Sequence, residues 1–212
     1  MSIEKLVNYA VSNSYSTLND LTPKTRRVWM VFHGMGYLSR YFIRHFKDLD
    51  PRENYIIAPQ AASKYYQGTD YKHVGASWLT REDTDRETTN VLTYVEAVWQ
   101  QEIEESQLEL VVLGYSQGVS IATRWLSYYQ RPCDHLIIHS GGLPKEMTSE
   151  SFNYLPEQTQ VHYVYGISDP YINDSRLLEE SERARMLFGE RVIVSPFEGD
   201  HRVDEQFINK LA

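Results

Sequence analysis

The sequence predicts an α/β protein built on a mostly parallel, doubly wound sheet flanked by helices. Two observations carry this. Short continuous apolar runs, each bounded by Gly, Pro or polar residues, recur along the 212 residues, as strands buried on both faces require. Between several of them, apolar residues fall near a 3.6-residue period. Strands alternating with helices give a parallel sheet with right-handed crossovers. No repeat, low-complexity tract or linker interrupts the pattern, so one domain over residues 1–212 is expected.

The elements follow in order. Ser14–Asn19 reads as an extra N-terminal strand. Val28–Phe32 is the first buried run, and Tyr37 to Leu49 reads as a helix. Tyr55–Ala58 is the next strand. Residues 60 to 83 show no period and read as a long loop, a length that often carries function. Thr84-x-x-Glu87 matches a capping box, and Val91, Val95, Val98, Trp99 and Ile103 continue a helical stripe. Leu110–Leu113 is a strand, followed by a helix with Val119, Ala122, Trp125, Leu126 and Tyr129 on one face. Leu136–Ile138 and Val161–Tyr165 are strands. A helix from about Asp174 carries Leu177, Leu178, Ala184 and Leu187, with Gly189 as its stop. Val192–Val194 is the last strand, and Phe207, Ile208 and Leu211 mark a C-terminal helix.

Bulk properties exclude some functions. Apolar residues make up 42% and charged residues 24%, ordinary for a globular protein. A net charge of −8 argues against nucleic acid, which needs a basic face. No apolar run reaches the roughly 18 residues of a membrane span, and the N-terminus has no signal-peptide core. With Cys133 alone, no internal disulfide forms, so a cytoplasmic setting is expected. Arg131-Pro132-Cys133-Asp134 offers no thiolate-stabilising setting, and Cys133 reads as a packing residue. Glu82, Asp83, Asp85 and Glu87 read as an acidic helix start rather than a metal site. No His-x-x-x-His or paired-Cys spacing is present. No metal and no cofactor are expected, and a homodimer is left open.

The chemistry gathers around Gly114-Tyr115-Ser116-Gln117-Gly118. A buried strand precedes it and an amphipathic helix follows, the strand–turn–helix context of a nucleophile elbow. The tight turn strains the serine backbone, and glycines two before and two after let strand and helix approach. A serine hydroxyl needs a base, and the base needs orienting. In chain order the acid and the histidine follow later strands. Val161–Tyr165 leads to Asp169, and Val192–Val194 leads to His201. Asp169 before Pro170 also suits a plain turn. Asp174 is a rival acid that also reads as a helix N-cap. For a developing oxyanion, the Gln117 amide is placed by the elbow. The loop His33-Gly34-Met35-Gly36 offers a second donor, with the Met35 amide the best placed. His33 is expected to brace that loop, and the Gln117 amide, not its side chain, is expected to matter.

These residues resemble the phospholipase/carboxylesterase family of the α/β-hydrolase superfamily, which includes small carboxylesterases and acyl-protein thioesterases. The matching pieces are His33–Gly36, Ala58-Pro59, Ser77-Trp78, Gly114–Gly118, Ser140-Gly141-Gly142-Leu143-Pro144, Gly166–Pro170 and Gly199-Asp200-His201. The resemblance implies an α/β-hydrolase fold without a sizeable cap. It implies Ser116, Asp169 and His201 as catalytic residues, the Met35 and Gln117 amides as oxyanion hole, and no cofactor. After Ser77-Trp78 the family continues with an aromatic and Asp; here it is Leu79-Thr80-Arg81. Asp200 stands where the family has Gly. Both departures bear on the substrate pocket. Residues 1 to 27 match nothing in the family.

The expected activity is a serine esterase acting on small to medium acyl esters. Acyl-thioesterase and lysophospholipase activities are alternatives, and a non-catalytic binding protein on a hydrolase scaffold is a further one. The expected partner is a small-molecule ester or thioester. The pocket is expected to draw on Trp78 and Leu143, although Trp78 suits a core position equally well.

Overall fold

The computed structural model describes residues 2–104 and 108–212. Among the described residues, nine strands and five α-helices follow in chain order: β1 (Tyr15–Leu18), β2 (Arg27–Phe32), α1 (Ser39–Phe42), β3 (Asn54–Pro59), β4 (Ser63–Gln67), β5 (His73–Ser77), α2 (Thr84–Glu102), β6 (Glu109–Tyr115), α3 (Gln117–Tyr129), β7 (His135–His139), β8 (Gln160–Gly166), α4 (Asp174–Phe188), β9 (Val192–Phe197) and α5 (Glu205–Leu211). Residues 2–12 run exposed with neither helix nor strand.

Seven strands form one sheet in the order β1-β3-β2-β6-β7-β8-β9. The extra N-terminal strand is present as β1 and pairs antiparallel with β3; the other neighbours are parallel. Parallel strands bring their carboxyl ends to one edge, which is where such sheets bind ligands.

Strand alternation builds the core. In β2, Met30 and Phe32 face one side and Trp29 and Val31 the other. Val112 and Leu110 join the first side, Val111 and Leu113 the second. The first side is covered by α2, α3 and α4 through Val95, Trp125 and Leu187. The second is covered by Phe42, Phe46 and Ile208. Each such buried side chain stabilises the fold by about 1.5–3 kcal/mol. This is why the runs carry no polar alternation. Glu96 of α2 is buried yet satisfied: it accepts from Trp125 Nε1 at 2.9 Å and from Arg131 at 2.7 Å, tying α2 to α3.

Several local expectations change. The 37–49 helix is the four-residue α1 followed by a 3₁₀ turn, Ile43–Phe46, whose tighter winding continues in Lys47 N–H to Arg44 O and Leu49 N–H to Phe46 O. The expected capping box is absent. Asp83 is the N-cap, in the left-handed region with φ 48°, and Thr84 is already helical and donates to Thr80 O. Asp83 pairs with Arg86 instead of capping. Asn173, not Asp174, caps α4, accepting from Arg176 N–H at 2.9 Å. Gly189 ends α4 at φ 63°, as its position predicts. The long loop contains the antiparallel hairpin β4–β5.

Candidate active site

Ser116 sits between β6 and α3 with φ 53° and ψ −118°, a strained conformation for a residue with a Cβ. Two close approaches impose it. A Cβ on Gly114 would lie 2.4 Å from Val119 Cα, and one on Gly118 would lie 2.1 Å from Phe32 O. Strand and helix therefore meet backbone to backbone, and the serine between them takes the strain. Its own N–H is anchored on His139 O at 2.8 Å.

The structure brings Ser116, His201 and Asp169 into one hydrogen-bonded line. His201 Nε2 lies 3.0 Å from Ser116 Oγ, and His201 Nδ1 lies 2.6 Å from Asp169 Oδ2. Asp169 is buried and its other oxygen accepts from Tyr171 N–H at 2.8 Å. With Nδ1–H donated to the carboxylate, Nε2 is left to accept from the serine. Asp174 does not line the cavity at Ser116.

The loop after β2 is held by several bonds, none of which takes the Met35 amide. His33 Nδ1–H donates to Gly34 O at 2.8 Å, and its Nε2 accepts from Ala61 N–H at 3.2 Å. Burial pushes His33 down to about 4, so it stays the neutral brace that its position predicts. Gly36 N–H donates to Ala76 O of β5 at 2.9 Å, and Gly36 O accepts from Gln67 of β4 at 2.8 Å. Among the described residues, the Met35 N–H has no backbone acceptor. Gln117 opens α3, where N–H groups lack intrahelical partners. A Cβ on Gly34 would lie 3.1 Å from Ser116 Cβ, so this loop runs directly past the serine.

Ser116, Met35, Gln117, His201 and Leu143 line one cavity of about 530 Å³ with Ser120, Ser140, Gly141, Gly142, Lys145, Tyr171, Ile172, Arg176 and Glu180. Trp78 does not line it. It is 2% exposed, and its Nε1–H donates to His33 O at 2.8 Å, so it props the loop from the core. A larger groove of about 890 Å³ beside α5 contains neither Ser116 nor His201.

Three contributors go beyond the expected set. The Gln117 side chain accepts from Trp78 N–H at 2.9 Å and donates to Leu79 O at 2.8 Å, fastening the segment after β5 to the elbow. Tyr115 OH donates to His201 O at 2.8 Å. His139 is buried and pushed down to about 3 by that burial; its neutral Nε2 accepts from Asp204 N–H at 2.9 Å. Only Tyr115 and Gln117 carried a signal, by lying inside the elbow motif. Cys133 is buried and its thiol pushed up to about 12, which makes it a packing residue.

A parallel sheet with a strained serine turn at its carboxyl edge, answered by a histidine and a buried acid beyond later strands, defines an α/β hydrolase. The Phospholipase/Carboxylesterase family model matches residues 21–212, and the chain belongs to that family of hydrolases. Solved structures share the fold. Acyl-protein thioesterase 2 of Zea mays is 13% identical with a TM-score of 0.70, over 94% of this chain and 96% of that one. A phospholipase/carboxylesterase from Dyadobacter fermentans is 21% identical with a TM-score of 0.61, over 95% and 97%. The Bacillus cereus carboxylesterase is 12% identical with a TM-score of 0.64, over 94% and 91%. At these identities the likeness is one of fold. No curated protein matches the sequence. No helix among the described residues is long and apolar enough to cross a membrane.

Proposed function

We propose that this hydrolase is a serine esterase acting on small to medium acyl esters through an acyl-enzyme. The observation that carries this is the line from Ser116 Oγ through His201 to Asp169, at 3.0 and 2.6 Å, on a strained elbow. His201 Nε2 takes the Ser116 proton as Oγ bonds to the ester carbonyl carbon. Asp169 holds the imidazole tautomer and stabilises its charged form. The carbonyl oxygen, now negative, rests on the Met35 and Gln117 amides. Collapse breaks the ester C–O bond, and His201 passes its proton to the departing alcohol. His201 then deprotonates water, which attacks the acyl carbon; the acyl C–Oγ bond breaks, His201 returns its proton to Ser116 Oγ, and the acid leaves.

The wall of the cavity supports small to medium acyl groups. Only Met35, Leu143, Tyr171 and Ile172 offer substantial apolar side chains, and Met35 and Tyr171 are themselves exposed. A long acyl chain needs a continuous apolar channel, and a short one does not. Thioesters of similar size use the same machinery.

A fluorophosphonate probe tests the reading. The native protein should gain one covalent adduct on Ser116, and Ser116→Ala none. Absence of an adduct on the native chain, or an equal one on the variant, would leave a ligand-binding role on a hydrolase scaffold.

A further inference from the structure

Lys145 and Arg176 both line the cavity that holds Ser116. Among the described residues, neither enters a salt bridge. One carboxylate, Glu180, shares the lining: its Oε2 accepts from Leu143 N–H at 3.0 Å, and its Oε1 lies 2.7 Å from where a Cβ on Gly142 would stand. Arg176 is exposed and anchored at one point. Its Nη1 donates to Tyr171 O at 3.0 Å, and a Cβ on Gly142 would lie 3.4 Å from its Nη2. The guanidinium is thus held over the loop that follows β7, with donors left to spend.

On a chain of net charge −8, two cations against the single carboxylate of Glu180 in this lining are a local reversal of sign. Such a reversal draws anions to a cleft. A guanidinium fork suits carboxylate and phosphate oxygens in particular. A neutral fatty chain laid along this wall would cover the two charges without answering them, which is unfavourable.

We propose that Lys145 and Arg176 form an anion subsite, and that the preferred ester carries a carboxylate or a phosphate on the portion lying toward α4. This rests on Ser116 as the nucleophile. It also accounts for the sparse apolar lining, since a short linker ending in a charge needs little apolar wall.

Matched ester pairs test it. Monomethyl adipate is set against dimethyl adipate for a carboxylate, and 1-butyrylglycerol 3-phosphate against 1-butyrylglycerol for a phosphate. The charged member of at least one pair should show a kcat/KM higher by about tenfold, the size of a hydrogen bond to a charged group. That advantage should shrink with added salt and collapse in Lys145→Ala/Arg176→Ala. The pair that responds identifies the anion. Equal rates within both pairs, or an advantage that survives in the double variant, overturns the subsite. A second measurement does not need turnover. Adipate and glycerol 3-phosphate, titrated at millimolar concentration into the wild-type chain, should shift the Gly142 and Tyr171 amide resonances and leave those of the double variant in place. No shift from either anion overturns the subsite whatever Ser116 does. Shifts without fluorophosphonate labelling would keep the subsite and remove the esterase reading.

Discussion

At the scale of single residues, the elbow is a backbone problem before it is a catalytic one. Gly118 faces Phe32 O and His33 O, both main-chain atoms of β2 and its following loop. A methyl group there cannot be absorbed by a rotating side chain; the strand itself must move. Gly118→Ala is therefore expected to cost more than about 3 kcal/mol, in the range of severe core clashes. A folded variant with an unchanged urea midpoint would show that α3 slides on β2 more easily than the packing implies. The sequence makes this position legible because glycines flank the serine between a buried strand and a helix. Asp169 and His201 are legible for a similar reason, as polar residues just past the ends of late strands. The Gln117 side chain is not. Its partners Ser77, Trp78 and Leu79 lie 38 to 40 residues away in the chain, and nothing local announces the pairing.

At the scale of elements, the loop after β2 depends on a hairpin that the sequence hides. Every residue of β4 is exposed, so no apolar alternation marks it as a strand. Its value lies in what it holds. β5 pairs with the loop through Gly36 and Tyr37, and Gln67 closes on Gly36 O. Trp78, just past β5, reaches back from the core to His33 O. Residue type alone could not separate that role from a pocket role, since a buried indole serves either. Trp78→Phe keeps most of the packing but leaves the His33 carbonyl without this donor. An unsatisfied buried carbonyl costs about 1–3 kcal/mol. The variant is expected to lose stability by that amount and to lower kcat more than it raises KM, because the Met35 amide loses its fixed place. A change confined to KM would return Trp78 to the substrate pocket.

At the scale of the whole molecule, acid sensitivity follows from three histidines that burial keeps neutral. His33 is pushed down to about 4, His139 to about 3 and His162 to about 4. In the unfolded chain each titrates near 6.5. Above about pH 6.5 all are neutral in both states, and the chain has its full stability. As pH falls toward 4 the unfolded state binds protons that the folded state refuses, so stability is lost across that window. His33 and His139 return something for this, because their nitrogens brace the loop after β2 and the segment after His201. His162 returns nothing visible: neither ring nitrogen has a hydrogen-bond partner among the described residues. Its ring stacks on His135 at 5.8 Å and meets the edge of Phe207 at 5.3 Å. His135 itself is turned to Glu109, at 3.0 Å, which also holds Arg27. His162→Leu replaces two orphaned polar atoms with apolar volume of similar size. At pH 7 it should be as stable as the native chain or better by about 1 kcal/mol. By removing one of the three proton-refusing sites, it should also move the acid-unfolding midpoint to lower pH. Urea titrations of both proteins at pH 7 and pH 5 measure this: the stability gap should widen in favour of the variant at pH 5. A variant equally weakened at both values would mean that the His135–His162 stack itself holds α5 on the sheet.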